Sequence, residues 1–407
     1  MTPGTLAWLD YSQADQRRAR EIVAMFSQRE SRDELGLGGI RDALSDTLFP
    51  GTSVLLTRAR YFLFVPWLFR EGERRGYHGP RLVTWVDGRE RRLIEALQSG
   101  GDVEGLIGRF AGPAVQILPS TIYWNSLRRF GFLRHEGTIA QVAGHRQISR
   151  PAVDATEYIE STGAVWAPSI PPAPDDFFRL EECDFSLTRE EATWLAERIV
   201  DAVPDTLLQF LVLRGTRPSA AAQFAWQEPE ARDAPEHIRG ALAQARRFAV
   251  TMHGAALLYN VILAERAAVL GLTDHAGQHN VFTSRLDEWR GEIEASDVAS
   301  WDLDSLWALV AEQGRPVPLR TRSFVTEWVD AARRQTGSGL ANDQRARALV
   351  THRELHQKGS QARLRNDRLM RQWGGASGTE RLNFRWPFLA RLLRDIADGR
   401  ERNHAGP

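Results

Sequence analysis

The stretch APEHIRGALAQARRFAVTMHGAALLYNVILAERAAVLG, residues 234–271, decides the fold class. Ala241, Ala245, Phe248, Met252, Ala256, Tyr259 and Leu263 recur every three to four residues, the spacing of one face of an α-helix. One or two long helices are expected here. Downstream, Asp304-Ser305-Leu306-Trp307 and Ser323-Phe324-Val325-Thr326-Glu327-Trp328 start two more. Upstream, Thr188-Arg189-Glu190-Glu191 is a capping box. It opens a helix through about Val203 whose apolar face is Ala192, Leu195, Ile199 and Val200. Pro151, Pro168, Pro171, Pro172 and Pro174 mark 151–176 as a linker.

Nearer the N-terminus, Ala14 to Phe26 and Gly39 to Leu48 read as helices, the second stopped by Phe49-Pro50-Gly51. Val54 to Phe69 is an apolar run that reads as a buried helix, kinked or ended by Pro66. In Pro119 to Leu133, Ser120 is placed to cap a helix and Gly131 to close it. That helix ends in Arg128-Arg129, and Gly131-Phe132-Leu133 follows. The order loosely resembles the recognition helix and wing of winged-helix modules; the plainer reading is a core helix with an exposed Arg pair. Gly137 to Ile148 is the best strand candidate. The expectation is a mainly α protein with a small α+β N-terminal module, winged-helix-like around 119–148. Its order would be a module over 1–150, the linker over 151–176, a helical body over 177–340 and a basic helical region over 341–399.

The 407 residues are 43% apolar and 26% charged, which supports a packed core and excludes a wholly disordered chain. The 52 basic and 52 acidic residues cancel, so the whole molecule is no general polyanion binder. No uninterrupted apolar run approaches the roughly 18 residues of a membrane span, and Met1 to Thr5 carries no secretory pattern. Cys183 is the single cysteine, which excludes an internal disulfide and a cysteine zinc cage and fits a reducing cytoplasm. Lys358 is the single lysine among 51 arginines. GC-rich codon drift explains that bias, unless the one lysine sits where a planar guanidinium does not serve.

Charge is uneven. Between Arg345 and Arg394 twelve basic residues face three acidic ones. Ala341 to Gln372 reads as a long helix in which Gly359 is a candidate interruption, and Lys358, Gln361, Arg365, Arg368 and Gln372 form one stripe along it. Such a face suits a phosphate backbone or an acidic protein. The candidate nucleic-acid contacts are Arg345, Arg347, Arg353, Lys358, Arg363, Arg365, Arg368 and Arg371. A solvated face, or pairing with the chain's own carboxylates, is the competing explanation.

Catalytic motifs are scarce. No Walker loop, dinucleotide fingerprint, zinc-protease helix or nucleophile elbow is present. His356-Gln357-Lys358 imitates the His-x-Lys of phospholipase D-type nucleases, but Arg363 stands where their Asp belongs. His352 and His356 share a helical face, yet their surroundings are cationic, and no metal or cofactor is expected. A polar cluster among hydrophobics is more unusual: Asp10, Asp33, Asp42, Asp46, Thr52, Ser53, Arg58 and Arg60, with Glu34, Arg41, Ser45 and Thr57 nearby. Three readings apply. Asp42 and Asp46 could pair with Arg58 and Arg60 to lock the turn at Pro50-Gly51. The cluster could hold a small molecule or nucleotide. It could be a hydrolytic centre with two carboxylates on a divalent ion.

The segments Leu6-Ala7-Trp8-Leu9-Asp10-Tyr11-Ser12, Arg32-Asp33-Glu34-Leu35-Gly36-Leu37-Gly38, Leu48-Phe49-Pro50-Gly51-Thr52-Ser53 and Thr57-Arg58-Ala59-Arg60-Tyr61-Phe62 resemble the opening of an uncharacterised bacterial family, a catalogued domain of unknown function. Gly254-Ala255, Leu258-Tyr259-Asn260, Arg353-Glu354, Lys358, Ala362-Arg363, Asn366 and Trp373 resemble its later landmarks. Members of that family resemble components of phage-defence gene clusters, found with helicases, nucleases and methyltransferases. The resemblance implies no activity. The expected function is a non-enzymatic, cytoplasmic accessory of a defence or DNA-processing system. It would contact nucleic acid, in the first instance DNA, through backbone phosphates, and a partner such as a helicase or nuclease, with no membrane role. The alternatives are a nucleotide- or nucleic-acid-processing enzyme built on the N-terminal Asp/Arg cluster, and a pure assembly subunit.

Overall fold

The computed structural model describes residues 33–101, 103–145, 165–181, 183–334 and 338–402. The described residues are mainly helical, about 65% of them. Its helices are α1 Gly38–Leu48, α2 Tyr61–Arg74, α3 Gly79–Ser99, α4 Pro119–Arg129, α5 Ile139–Gly144, α6 Arg189–Ala202, α7 Leu207–Arg214 and α8 Glu236–Val269. After these come α9 Gln278–Glu294, α10 Leu303–Glu312, α11 Leu319–Arg334, α12 Ser338–Asn342, α13 Gln344–Lys358, α14 Asp367–Met370 and α15 Trp386–Glu401. The chain divides into two compact units, each assembled from separated segments. Of the described residues, the first takes those up to 38, 249–301 and 317–382; the second takes those in 39–248, 302–316 and from 383.

The expected α+β module does not appear among the described residues. Among the described residues there is no strand, only an isolated bridge between Leu133 and Trp166. The strand candidate from Gly137 is helix α5 over Ile139–Gly144, its last residues lying outside the described ones. The cause is local: Thr138 Oγ1 accepts the Gln141 N–H while Gln141 Oε1 accepts the Thr138 N–H, a capping box that commits the segment to a helix. With no wing hairpin, the winged-helix likeness fails too. Gly131 does close α4 as expected. At φ +73° it lets Phe132 N reach Leu127 O at 2.9 Å and its own N–H reach Arg128 O at 3.1 Å, a Schellman pair. Ser120, however, is not the cap. Leu118 holds that place, and the Ser120 N–H and hydroxyl donate to buried Glu90 at 2.6 and 2.8 Å.

In the second unit the apolar run expected from Val54 becomes helical only at Tyr61 and passes through Pro66 to Arg74. It supplies Tyr61, Phe62, Phe64 and Trp67 to an aromatic core completed by Tyr123, Phe132, Phe177 and Phe185. Tyr123 Oη accepts the N–H groups of Thr57 and Arg58 and donates to Arg58 O, fixing the approach to α2. The capping box at Thr188 forms as the sequence indicates. Helix α15 crosses α6 closely: a Cβ on Gly399 would stand 2.6 Å from that of Ala192.

The first unit is organised around the later part of α8. Trp289 of α9 and Trp328 of α11 are fully buried, and their indole N–H groups donate to Val250 O and Thr251 O at 2.7 and 2.8 Å. Gly254 allows that approach, since a Cβ there would lie 2.4 Å from the Trp289 ring. By length and composition α8 could cross a membrane, but 83% of its most apolar window is buried in protein, as in the core helix of a globular fold.

Candidate functional site

Helix α13 begins at an Asp343 cap and ends at Lys358, because Gly359 adopts φ +54° and ψ −120°. A 3₁₀ turn over Gly359–Gln361 and the short α14 follow. The expected stripe from Lys358 to Gln372 is therefore not one helix face. The predicted basic residues fall into an internal set and an external set.

The internal set forms a charged network within the first unit. Lys358 Nζ pairs with Glu34 and lies 3.1 Å from Tyr259 Oη and 3.4 Å from Glu354 Oε1. Arg363 Nη1 donates to both Glu34 oxygens at 2.9 and 3.0 Å. Glu354 is fully buried. It accepts the Tyr259 hydroxyl at 2.7 Å and the N–H groups of Arg363 and Leu364 at 2.8 and 3.1 Å. Two carboxylates thus face one lysine and one arginine, with their oxygens occupied, which is what burial demands of charge. Burial alone would raise the Glu34 pKa, but Lys358 and Arg363 outweigh it and hold the carboxyl below its ordinary range. Tyr259 moves the other way: burial, then the nearby Glu354 and Glu34, push its phenol far up. Arg353 is buried alongside and is matched by carbonyls and a hydroxyl: Leu35 O at 2.6 Å, Gly36 O at 3.0 Å and Thr321 Oγ1 at 2.9 Å. Burial lowers its pKa.

Arg347 is also engaged, with Glu265. The external set is Arg345, Arg365, Arg368 and Arg371, all exposed, their guanidinium groups without an ion pair among the described residues. Arg345 is near the start of α13, about 20 Å from Lys358 at 1.5 Å per residue. Arg365, Arg368 and Arg371 lie within seven residues, and the last two are one helical turn apart across α14. The one carboxylate in that stretch, Asp367, is taken by Arg266 at 2.6 Å.

The N-terminal cluster is engaged residue by residue. Asp10 lies outside the described residues. Asp33 accepts the N–H groups of Leu37 and Gly38 at 2.6 Å each. Asp42 pairs with Arg41, and Asp46 pairs with Arg315 and Arg385 at 2.8 and 2.7 Å. Arg58 instead meets Asp395, and Arg60 meets Asp184 and Glu191. The expected pairing of Asp42 and Asp46 with Arg58 and Arg60 does not form. Thr52 and Ser53 serve their own turn, Thr52 Oγ1 donating to Phe49 O and Ser53 Oγ accepting the Leu55 N–H. His352 and His356 are exposed, and among the described residues no three His, Cys, Asp or Glu side chains converge as metal ligands.

Sequence reasoning did not anticipate Tyr259 and Glu354 as members of the network. The available signal was the solitary lysine, four residues after a glutamate on the same helix face. A model of a family of unknown function, DUF6361, matches residues 4–400. The chain belongs to the DUF6361 family. No curated protein and no solved structure matches it significantly. Several landmarks on which the DUF6361 resemblance rests, Gly254, Tyr259, Asn260, Arg353, Glu354, Lys358 and Arg363, belong to the first unit, in or beside its charged network and its tryptophan packing.

Proposed function

We propose that this DUF6361 protein binds the phosphate backbone of a nucleic acid, DNA in the first instance, through Arg365, Arg368 and Arg371. One observation carries the reading: three exposed guanidinium groups within one short segment, whose own carboxylate is consumed elsewhere. Guanidinium groups kept free of internal ion pairs suit bidentate contacts to phosphate. Such contacts position a protein on a duplex without reading its sequence. Arg347, Arg353, Lys358 and Arg363 leave the expected contact set, because each already has partners inside the protein. We further propose a role as a non-enzymatic accessory beside a helicase or nuclease of a defence or DNA-processing system, supported by the likeness of the N-terminal motif alone.

The test is binding to a 30-base-pair duplex DNA across a salt series, for the native protein and for the triple variant Arg365→Gln, Arg368→Gln, Arg371→Gln. Each neutralised phosphate adds about 0.9 to the slope of log K against log salt. The three arginines should contribute about 2.7 to the native slope, and that contribution should vanish in the triple variant with unfolding unchanged. Equal binding by the two proteins would reject the assignment. No binding by either would leave an assembly role.

A further inference from the structure

Segment 33–36 crosses the end of α13 as a strap. Asp33 and Arg353 hold its backbone through Leu37 N, Gly38 N, Leu35 O and Gly36 O. Between those anchors, Glu34 places its carboxylate on Lys358 and Arg363. The geometry is that of an anion seat: Arg363 Nη1 reaches both oxygens and Lys358 Nζ one of them. Both cations keep 16% of their side chains exposed, and two residues along the chain lies Arg365 of the exposed set. Glu354, by contrast, is closed off entirely and is bound by backbone amides.

We propose that Glu34 stands in for a phosphate, and that the strap withholds Lys358 and Arg363 from the binding surface until a polyanion displaces it. This deepens the function proposed above and rests on it for the identity of the ligand. With Glu34 in place the pair presents little positive charge; once it leaves, the surface gains two cations beside Arg365, Arg368 and Arg371. Glu354 keeps the loop that carries Arg363 in position in both states, so the seat survives the exchange.

The experiment compares the native protein with Glu34→Gln on the same 30-base-pair duplex across a salt series. The amide retains the shape of the side chain and removes its charge. With no carboxylate to displace, Glu34→Gln should bind the duplex about tenfold more tightly than the native protein at a given salt concentration, the equivalent of about 1.4 kcal/mol. Adding Arg363→Gln to Glu34→Gln should remove about half of that gain. Native binding with an unchanged affinity in Glu34→Gln would overturn the strap and leave the exposed arginines standing. Binding by Glu34→Gln alone would support the strap and show that the exposed arginines do not suffice; no binding by either would reject both. A second measurement needs no variant. In the native protein, saturating DNA should speed amide exchange over residues 35–38, which a purely structural strap would leave unchanged or slower.

Discussion

Asn260 and Ser377 exchange two hydrogen bonds, the side-chain amide donating to Ser377 O at 2.7 Å and accepting the Ser377 N–H at 2.8 Å. One side chain thus satisfies both backbone polar groups of a buried loop residue, in the way a neighbouring strand would. Both residues are almost wholly buried, so water cannot replace either bond. Asn260→Ala strands a donor and an acceptor at about 1–3 kcal/mol each. The expected loss is about 2–6 kcal/mol, read as a lower urea midpoint at constant m-value. Asn260→Asp should also destabilise, because a carboxylate beside Ser377 O repels where the amide donates.

Gly254 makes the opposite case from the usual glycine in a helix. Replacing such a residue with alanine ordinarily stabilises by about 1 kcal/mol. Here the added Cβ would meet three atoms of the Trp289 ring within 2.8 Å, and that ring is buried and tied by its N–H to Val250 O. Overpacking of this kind costs about 1–3 kcal/mol. Gly254→Ala should therefore be neutral to destabilising by about 2 kcal/mol, and Gly254→Val worse, measured by thermal unfolding. Stabilisation by alanine would show that α9 yields more easily than its packing indicates.

Glu354 and Glu34 should respond differently to the loss of charge although both meet Lys358. Glu354 binds two amides of the Arg363–Leu364 loop as well as Tyr259. A glutamine there must turn its NH2 toward a donor on one side or the other. Glu354→Gln should destabilise by about 2–3 kcal/mol, as loss of a charge-assisted buried acceptor does. Glu34→Gln keeps one acceptor for Arg363 and should cost less. Chemical denaturation of the two variants under one set of conditions orders them.

What could be read directly from the sequence was local. The 3.6-residue spacing in 234–271, the Thr188 box and the Gly131 terminus each depend on residues within one or two turns, and all appear in the structure. The strand expected after Gly137 failed for an equally local reason: Thr138 and Gln141 have capping-box spacing, and that outweighs a short apolar alternation. The site could not be read this way. Lys358 meets Glu34 across 324 residues of chain, and Asp46 meets Arg385 across 339. Charge counts along the sequence found the basic surplus but could not show that half of the named cations are matched internally. Nor does periodicity reveal that a glycine at φ +54° ends the helix before Arg365, Arg368 and Arg371.

Glu90 gives the protein a pH dependence opposite in sign to that of a salt-bridged acid. Its carboxyl is fully buried with Ser120 as its hydrogen-bond partner, and burial raises its pKa to about 7 despite those two hydrogen bonds. In the unfolded chain the group titrates near 4.3. Between these values the folded protein binds the extra proton, so this contribution is complete below about pH 4 and is lost as pH rises through 7. At about 1.4 kcal/mol for each pH unit separating the folded and unfolded values, the loss is of the order of 3–4 kcal/mol. Glutamine reproduces the protonated state, since its oxygen can accept the Ser120 N–H and its NH2 can donate to the hydroxyl. Glu90→Gln should therefore match the native protein near pH 5 and exceed its melting temperature near pH 8. A native advantage at pH 8 would mean that the ionised carboxylate is the better partner for Ser120.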